Sequence, residues 1–512
     1  MSRSESTAQI ERFRSLIARH LGLYFEEAKL PFLGEVLQRR IESTAQPCDT
    51  YIQRLEANAP RSELALLAQQ LTVGETHFFR NTDQFRAFSQ VVVPDRLRAQ
   101  AFQKRLRILS AGCASGEEAY SVAILIREAG FDSSCDVSIL AVDVNPTMIE
   151  KARRAQFTTW ALRETPSETQ QKWFRLDGRD VFLSDSSVHA AVRFEERNLV
   201  EDDSELWRPD TYDVIFCRNV IMYFTPESSR AVVGYLTRAL APGGYLFLGH
   251  AETLRALSQD FHLCHTHGTF YYQRKDRVEH SANHRAAHSK PFPGSPPAEL
   301  ASIVESSDTW VEAIGKAAER IQALTETSGK FSKLNRDSAP AQSQPGWDLA
   351  ITLELLKKER FAEALEVLQS MPPESFHDPD VLLLRAVLLT HGGRLKEAEG
   401  VCHDLLAVDE LNAGAHYVLA LCSEGESDKG SAVDHDQVAV YLDPSFAMPH
   451  MHLGLIARRR GDRNAAQREL GQALALLQQE DAARLLLFGG GFSRDALLGL
   501  CRAELSASGG LP

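Results

Sequence analysis

None of the eight cysteines, at 48, 113, 135, 217, 264, 402, 422 and 501, stands in a CxxC pair. Neither a zinc site nor a dithiol centre is therefore expected. The opening MSRSESTAQIERF has no apolar core, so no secretory signal is expected. No apolar run approaches the roughly 20 residues of a membrane-spanning helix. The expectation is a cytoplasmic protein with reduced thiols and no membrane insertion. Basic excess is also missing: the formal net charge is −13, which argues against nucleic acid as a partner. Hydrophobic residues make up 44% and charged residues 24%, ordinary for a globular protein. A chain of 512 residues is too long for one core, so two or three domains are expected.

The first seventy residues read as helices. IERFRSLIARHLGL places apolar residues at 10, 13, 16, 17 and 21, close to helical period. LPFLGEVLQRRIES starts near Pro31 and carries Arg39 and Arg40 together, and SELALLAQQLTV is a third amphipathic helix. From about residue 105 strands and helices alternate: RLRILSAG, EEAYSVAILIREAG, DVSILAVDVN, PTMIEKARRA, YDVIFCRNV, RAVVGYLTRAL and GGYLFLGHAE. That order predicts an α/β domain with a largely parallel sheet. FLSDSSVHAAVRFEERNL, within 157–197 and just beyond, predicts a hairpin in a small inserted β-subdomain.

Residues 276–345 are rich in Ser, Pro, Ala and His and read as a linker with one helix around 309–325. Beyond it, Ala364, Ala398, Ala432 and Ala466 recur every 34 residues, and Asp409 pairs with Asp443 in the same register. This is the tetratricopeptide period, two antiparallel helices per repeat, and predicts repeats over 346–480 with a helical tail over 481–512.

Chemistry concentrates in the middle. SAGCASGEE, 110–118, follows a strand and opens a helix, and its small residues let a ligand approach the backbone. No Lys-Ser/Thr follows, so it is no phosphate loop of the Walker type, and Glu117 and Glu118 would attract an amine or a sulfonium. The second strand ends at Asp143, placed to accept both hydroxyls of a ribose. With no G-x-G-x-x-G, a dinucleotide fits poorly and S-adenosylmethionine fits better. In FCRNVIMYF, Asn219 and Tyr223 are polar groups at the carboxyl edge of the sheet, where α/β ligands bind.

Taken in order, GETHFFRN, SAGCASGEEAYS, VDVNPTMIEKAR, RNL, FCRNVIMYF and PGGYLFLGHAE resemble the chemoreceptor glutamate methyltransferases of the CheR family, collinearly from about residue 10 to 275. The resemblance, to the subset with C-terminal tetratricopeptide repeats, implies an N-terminal helical domain (1–75) joined to a Rossmann-like methyltransferase domain (76–275). It implies S-adenosylmethionine as methyl donor and a glutamate on the acidic helical stalk of a methyl-accepting chemoreceptor as acceptor. By position, Thr76, Arg80 and one of Glu117 and Glu118 would contact the donor, with Asp143 on the ribose. Asn198 and Leu199 would border the adenine, and Asn219 and Val220 would lie near the methionyl group. Some members carry Asn where this chain has Gly74.

Displacement at a sulfonium methyl by an ionised carboxylate needs no general base, so the task is positioning and desolvation. Arg80 and Tyr223 are the expected orienting residues, His77 a packing or catalytic one. Arg39 and Arg40 on the second helix would receive the acidic receptor, and the repeats would hold a peptide or protein partner. Of Phe78 and Phe79, one is expected in the core and one facing the donor. A second reading keeps the fold as a non-catalytic S-adenosylmethionine sensor acting through the repeats.

Overall fold

The computed structural model describes residues 3–99, 105–130, 136–275, 349–358, 360–371, 375–425, 429–490 and 492–507. The chain divides into two units, Met1–Ser289 and Lys290–Pro512. The expected linker and its helix around 309–325 lie outside the described residues.

The first unit begins with four helices, α1 (Arg3–Leu21), α2 (Leu30–Thr44), α3 (Cys48–Asn58) and α4 (Arg61–Leu71). Pro31 sits in the first turn of α2, where its missing N–H has no helical partner to lose. Phe13, Leu16, Ile17, Leu33, Val36 and Leu37 close a core with Tyr51, Ile52 and Leu55 of α3 and Leu67 of α4. The sequence reading has only three of these helices. The third in chain order, CDTYIQRLEAN, offers three buried apolar residues over three turns, too few to reveal a period.

Arg40, expected to be a free surface cation, is held in an ion pair. Its Nε and Nη2 donate to Glu63 at 2.7 and 2.9 Å, and Tyr51 Oη donates to the same carboxylate at 2.8 Å. Burial pushes the Glu63 carboxyl up, but the bonds from Arg40 and Tyr51 outweigh it and hold the group below its ordinary value. Arg39 is exposed. Arg40→Glu is expected to destabilise the first unit by about 3 kcal/mol or more, because it leaves buried like charges together. Arg39→Glu should fall within about 0.5 kcal/mol of wild type. Urea unfolding of the two variants measures the difference.

The central sheet has seven strands: β1 (Arg105–Ala111), β2 (Asp136–Asp143), β6 (Val192–Glu196), β7 (Tyr212–Cys217), β8 (Leu240–Leu248), β9 (Phe261–Thr266) and β10 (Thr269–Arg274). The order is β6-β2-β1-β7-β8-β10-β9. The first five run parallel and the last two antiparallel. The chain winds outward from β1 through β2 to β6, then returns to β7 and winds the other way. This reversal between β1 and β7 opens a crevice at the carboxyl ends of β1, β2 and β7.

The expected hairpin sits earlier than the sequence reading has it. β3 (Gln156–Thr158), β4 (Phe174–Asp177) and β5 (Asp180–Leu183) form a separate antiparallel sheet of order β3-β5-β4. VRFEE instead joins the main sheet, as β6 beside β2, because its alternate residues Val192 and Phe194 are buried against the main core. The β9–β10 hairpin was not read at all. Its turn is His267-Gly268, with φ of 55° and 68°, the two-residue signature of a tight hairpin.

The second unit is helical. Leu349–Lys357 packs on Phe361–Gln369, Pro379–His391 on Leu395–Val408, Ala413–Gly425 on Lys429–Leu442, and Ala447–Arg459 on Arg463–Leu477. Ala364, Ala398, Ala432 and Ala466 are all fully buried, as a small residue at each helix crossing requires. At Gly454 an added Cβ would stand 2.6 Å from Leu470.

The same 34-residue register holds a titratable joint. His416 Nδ1 lies 3.2 Å from His435 Nδ1, and one repeat on, His450 Nδ1 lies 2.9 Å from Glu469. Burial, then the charge of His435, pushes the His416 imidazole down to about 3. Below its unfolded value of about 6.5 the unfolded chain takes up a proton that folded His416 refuses. The stability contributed by neutral His416 is thus complete above about pH 6.5 and is lost as pH falls towards about 3. His435→Glu, which restores the next repeat's arrangement, should flatten this dependence. The shift in thermal midpoint between pH 7 and pH 5 should be smaller in the variant than in wild type.

Candidate active site

Two glycines shape the loop after β1. Gly112 has φ +77°, and an added Cβ would lie 2.4 Å from Val220. Gly116, φ +94°, caps α7 (Glu117–Glu128), and its Cβ would meet Ala152 at 2.9 Å. The loop is pinned to the neighbouring strand by Asp143. One Asp143 oxygen accepts the Ala114 N–H at 2.9 Å, and the other accepts that of Asn145 at 2.8 Å. The Val144 N–H also faces this carboxylate, which still keeps acceptor capacity for a further donor. Burial raises the Asp143 carboxyl, and these backbone bonds oppose the rise.

The two glutamates at the start of α7 part company. Glu118 lines a cavity in the crevice; Glu117 does not. Glu117 turns back to Ser115, whose hydroxyl donates to it at 2.8 Å. Of the pair expected to meet the donor, Glu118 is the one in position. Its carboxylate accepts Ser110 Oγ at 2.7 Å and Arg218 Nη1 at 3.2 Å. Burial raises its proton affinity, and Arg218 opposes the rise.

GETHFFR is neither helix nor simple loop. It runs irregularly between α4 and α5 (Thr82–Ala87). Phe79 and Asn81 have φ of 54° and 64°, and a left-handed phenylalanine is a strained conformation that its surroundings must hold. Here the Phe79 N–H donates to Ser121 Oγ at 3.0 Å and its ring meets Phe85 edge-on at 5.7 Å. Phe78 packs edge-on against Phe157 and Phe174 at 4.8 and 4.7 Å. Both phenylalanines are buried in the core and neither lines the cavity, so the expected donor-facing ring is absent. The polar residues do line it: Thr76, His77 and Arg80. His77 is tethered, with Arg163 Nη2 donating to Nδ1 at 2.6 Å and Glu164 standing 3.0 Å from Nε2. Burial lowers its basicity despite Glu164. These two partners hold the ring in place in the cavity wall. At Gly74 an added Cβ would lie 2.6 Å from Met148 Cε, so Met148 fills the space that a side chain at 74 would take.

The loop after β7 closes the far side. Arg218 is buried: it pairs with Glu118, donates to the Arg80 carbonyl, and stacks on the Phe85 ring with 5.4 Å to the centroid. Asn219 has φ 57°. The loop is clamped by Glu252, one carboxylate that accepts four backbone N–H groups: Asn219 at 2.6 Å, Gly249 at 2.7 Å, Val220 at 2.8 Å and Met222 at 3.2 Å. Neither Arg218 nor Glu252 was singled out in the sequence. Both lie in quoted motifs, FCRNV and GHAE, and a charge adjoining an apolar strand was the available signal.

The N-terminal helices reach the same place. Leu23 bridges Phe224, the Tyr24 N–H donates to the Tyr223 carbonyl at 2.8 Å, and Asn198 Nδ2 donates to the His20 carbonyl at 2.8 Å. Asn198, Leu199, Asn219, Val220 and Tyr223 line the same cavity as Asp143 and Glu118. Its volume is about 600 Å³, within the usual range for small-molecule sites. Arg218 Nε and Gln70 Oε1, buried in its lining, have no hydrogen-bond partner among the described residues. Spare acceptor capacity on Asp143, a buried carboxylate at Glu118 and a backbone cradle at Gly112 suit a ligand with a diol and a cationic amino-acid end. S-adenosylmethionine is such a ligand.

Residues 74–270 match the family described as CheR methyltransferase, SAM binding domain. Chemotaxis protein methyltransferase 2 of Vibrio cholerae is 33% identical over 280 residues, 54% of this chain and 96% of that protein. The probable biofilm formation methyltransferase WspC of Pseudomonas putida is 27% identical over 465 residues, 90% of this chain and 96% of that protein, so its likeness extends through the helical second unit. The WspC of Pseudomonas aeruginosa is 25% identical over 459 residues, with the same coverage. The chain belongs to the CheR family of S-adenosylmethionine-dependent chemotaxis protein methyltransferases, with a helical-repeat unit following the methyltransferase domain.

Proposed function

We infer that the enzyme methylates glutamate side chains on the acidic helical stalk of a chemoreceptor, in the cytoplasm, and that the cavity residues divide the work as follows. Asp143 accepts the ribose hydroxyls of the donor, and Asn198 and Leu199 border its adenine. Glu118 takes the amino group, with Thr76, Asn219 and Val220 beside the methionyl end. Arg80 and Tyr223 orient the carboxylates at the mouth. The observation that carries this reading is the convergence of Asp143, Glu118 and Arg80 on one cavity from three separate segments.

S-adenosylmethionine supplies, when bound, a methyl group on a positively charged sulfur. The acceptor carboxylate is ionised near neutral pH, so no residue has to remove a proton. The opposite charges of the reactants are lost as the methyl moves, so a dry cavity favours the reaction over water. Phe78, Phe79, Phe85 and Phe216 form the dry wall behind the site. Arg218 balances Glu118 before any ligand arrives, which keeps an isolated buried charge from forming. Calorimetry of the full chain with S-adenosylmethionine and with its demethylated product tests the assignment. Binding of both, weakened by Asp143→Ala, is expected; binding of neither would overturn it.

The repeats are a separate recruitment device, holding a protein or peptide partner. The Vibrio cholerae relative, matched almost whole by 54% of this chain, supports that modularity. Removal of 346–512 should weaken partner association and leave donor affinity unchanged. Lost donor binding would contradict it.

A further inference from the structure

We propose that the acceptor segment docks on an apolar collar around the cavity mouth, through apolar side chains that flank its glutamate, and not on a basic face of α2. The proposal rests on the protein-methyltransferase reading above. Among the described residues of the first unit, eight large apolar side chains are exposed: Tyr24, Phe32, Leu66, Val73, Trp160, Leu176, Met222 and Tyr223. Five of these, Tyr24, Phe32, Val73, Met222 and Tyr223, line the one cavity. Single exposed apolar residues are ordinary, but a cluster at one opening marks a contact surface. The five come from three places in the chain: the segment 24–32, the strip after α4 and the loop after β7.

Charge argues the same way. The exposed residues of α2 include Glu35 and Glu42 as well as Arg39, and Arg40 is committed to Glu63. At the mouth, Glu26 and Glu75 offset Lys29 and Arg80. Neither surface presents a basic field to an acidic partner, so the grip has to come from apolar burial. Continuity with the catalytic cavity selects the occupant. Only a segment that also delivers a carboxylate into the cavity is compatible with turnover, which favours the acceptor over a second copy or the chain's own residues. On a helix, side chains three or four positions either side of the glutamate would lie over the collar.

The test is steady-state methyl transfer by the full-length enzyme to membranes carrying its chemoreceptors, with wild type and the double variant Phe32→Ser/Met222→Ser. The KM for receptor should rise about tenfold or more in the variant, as two apolar contacts are lost. Donor affinity by calorimetry should change less than about twofold, and so distinguish lost docking from misfolding. Raising NaCl from about 50 to about 500 mM should leave the wild-type receptor KM within about threefold. An unchanged or lowered receptor KM in the variant overturns the proposal; so does a steep salt dependence that Arg39→Glu reproduces. If wild type forms no methyl ester on the membranes, the acceptor reading itself fails and the proposal with it.

Discussion

Arg80→Ala is expected to lower kcat/KM for methyl transfer by about 10²-fold or more, the scale on which lost positioning of reacting groups acts. The backbone at this position does not depend on its side chain. The Arg80 carbonyl is held by Arg218, and the preceding strip is anchored by Phe78 and Phe79 in the core. The guanidinium, in contrast, lines the cavity, and its Nη1 donates only a long bond, 3.4 Å, to the Glu75 carbonyl. It is available to a carboxylate, of the donor or of the acceptor, and such a charged pair is stronger than a neutral hydrogen bond. Truncation to alanine therefore removes the contact and leaves the strip in place. Arg80→Lys should recover only part of the loss, because an ammonium does not reproduce the planar fork. Calorimetry and initial rates together locate the effect: a weakened donor Kd assigns Arg80 to the donor, a raised receptor KM to the acceptor. Unchanged donor affinity and unchanged turnover would refute the assignment.

Glu252→Ala should have an effect of similar size, by a different route. Four buried or half-buried N–H groups, of Asn219, Val220, Met222 and Gly249, lose their shared acceptor. An unsatisfied buried group costs about 1–3 kcal/mol, so even with partial rescue by water the first unit should lose about 3 kcal/mol or more. The loop also carries Arg218, Asn219, Val220 and Tyr223 into the cavity, so donor affinity and turnover should fall together by about 10²-fold or more. Glu252→Gln should not rescue fully. Each carboxylate oxygen serves two of the N–H groups, and an amide would turn its own donors towards one of those pairs. Urea unfolding and donor calorimetry of both variants measure it. Wild-type stability and donor affinity in the alanine variant would show that the clamp is dispensable.

What the sequence revealed follows from how an α/β sheet builds a site. Loops at the carboxyl ends of parallel strands are local, so SAGCASGEE, AVDVN and FCRNV each displayed their chemistry in a few consecutive residues. Asp143, Asn219 and Tyr223, which line the cavity, were legible for that reason, and Glu118 only as one of the pair Glu117 and Glu118. The repeats were legible because their helix crossings demand a small residue at a fixed interval, seen at Ala364 through Ala466. What stayed hidden depends on partners distant in sequence. Arg40 looked like a surface cation because Glu63 lies on another helix. Glu252 clamps a loop more than thirty residues earlier; a charge adjoining an apolar strand marks it as a polar group to be satisfied but does not name that loop. The second phenylalanine of GETHFFR points inward because Ser121, on α7, fixes its backbone in a left-handed turn that no propensity favours. Helix α3 was missed because Tyr51, Ile52 and Leu55 stand among polar residues, unlike the apolar-rich α4 of equal length, and β9–β10 because a hairpin's pairing is set by a turn, not by periodicity.

The most direct measurement is the fate of the methyl group. Full-length enzyme is incubated with methyl-labelled S-adenosylmethionine and membranes carrying its chemoreceptors, and label on protein is scored before and after mild base. Label on a chemoreceptor, released by base as a carboxyl methyl ester and strongly reduced with Arg80→Ala, is the predicted result. Donor binding by the full chain with no base-labile label on any membrane protein would contradict the central claim, and would leave a donor-sensing scaffold in place of an enzyme.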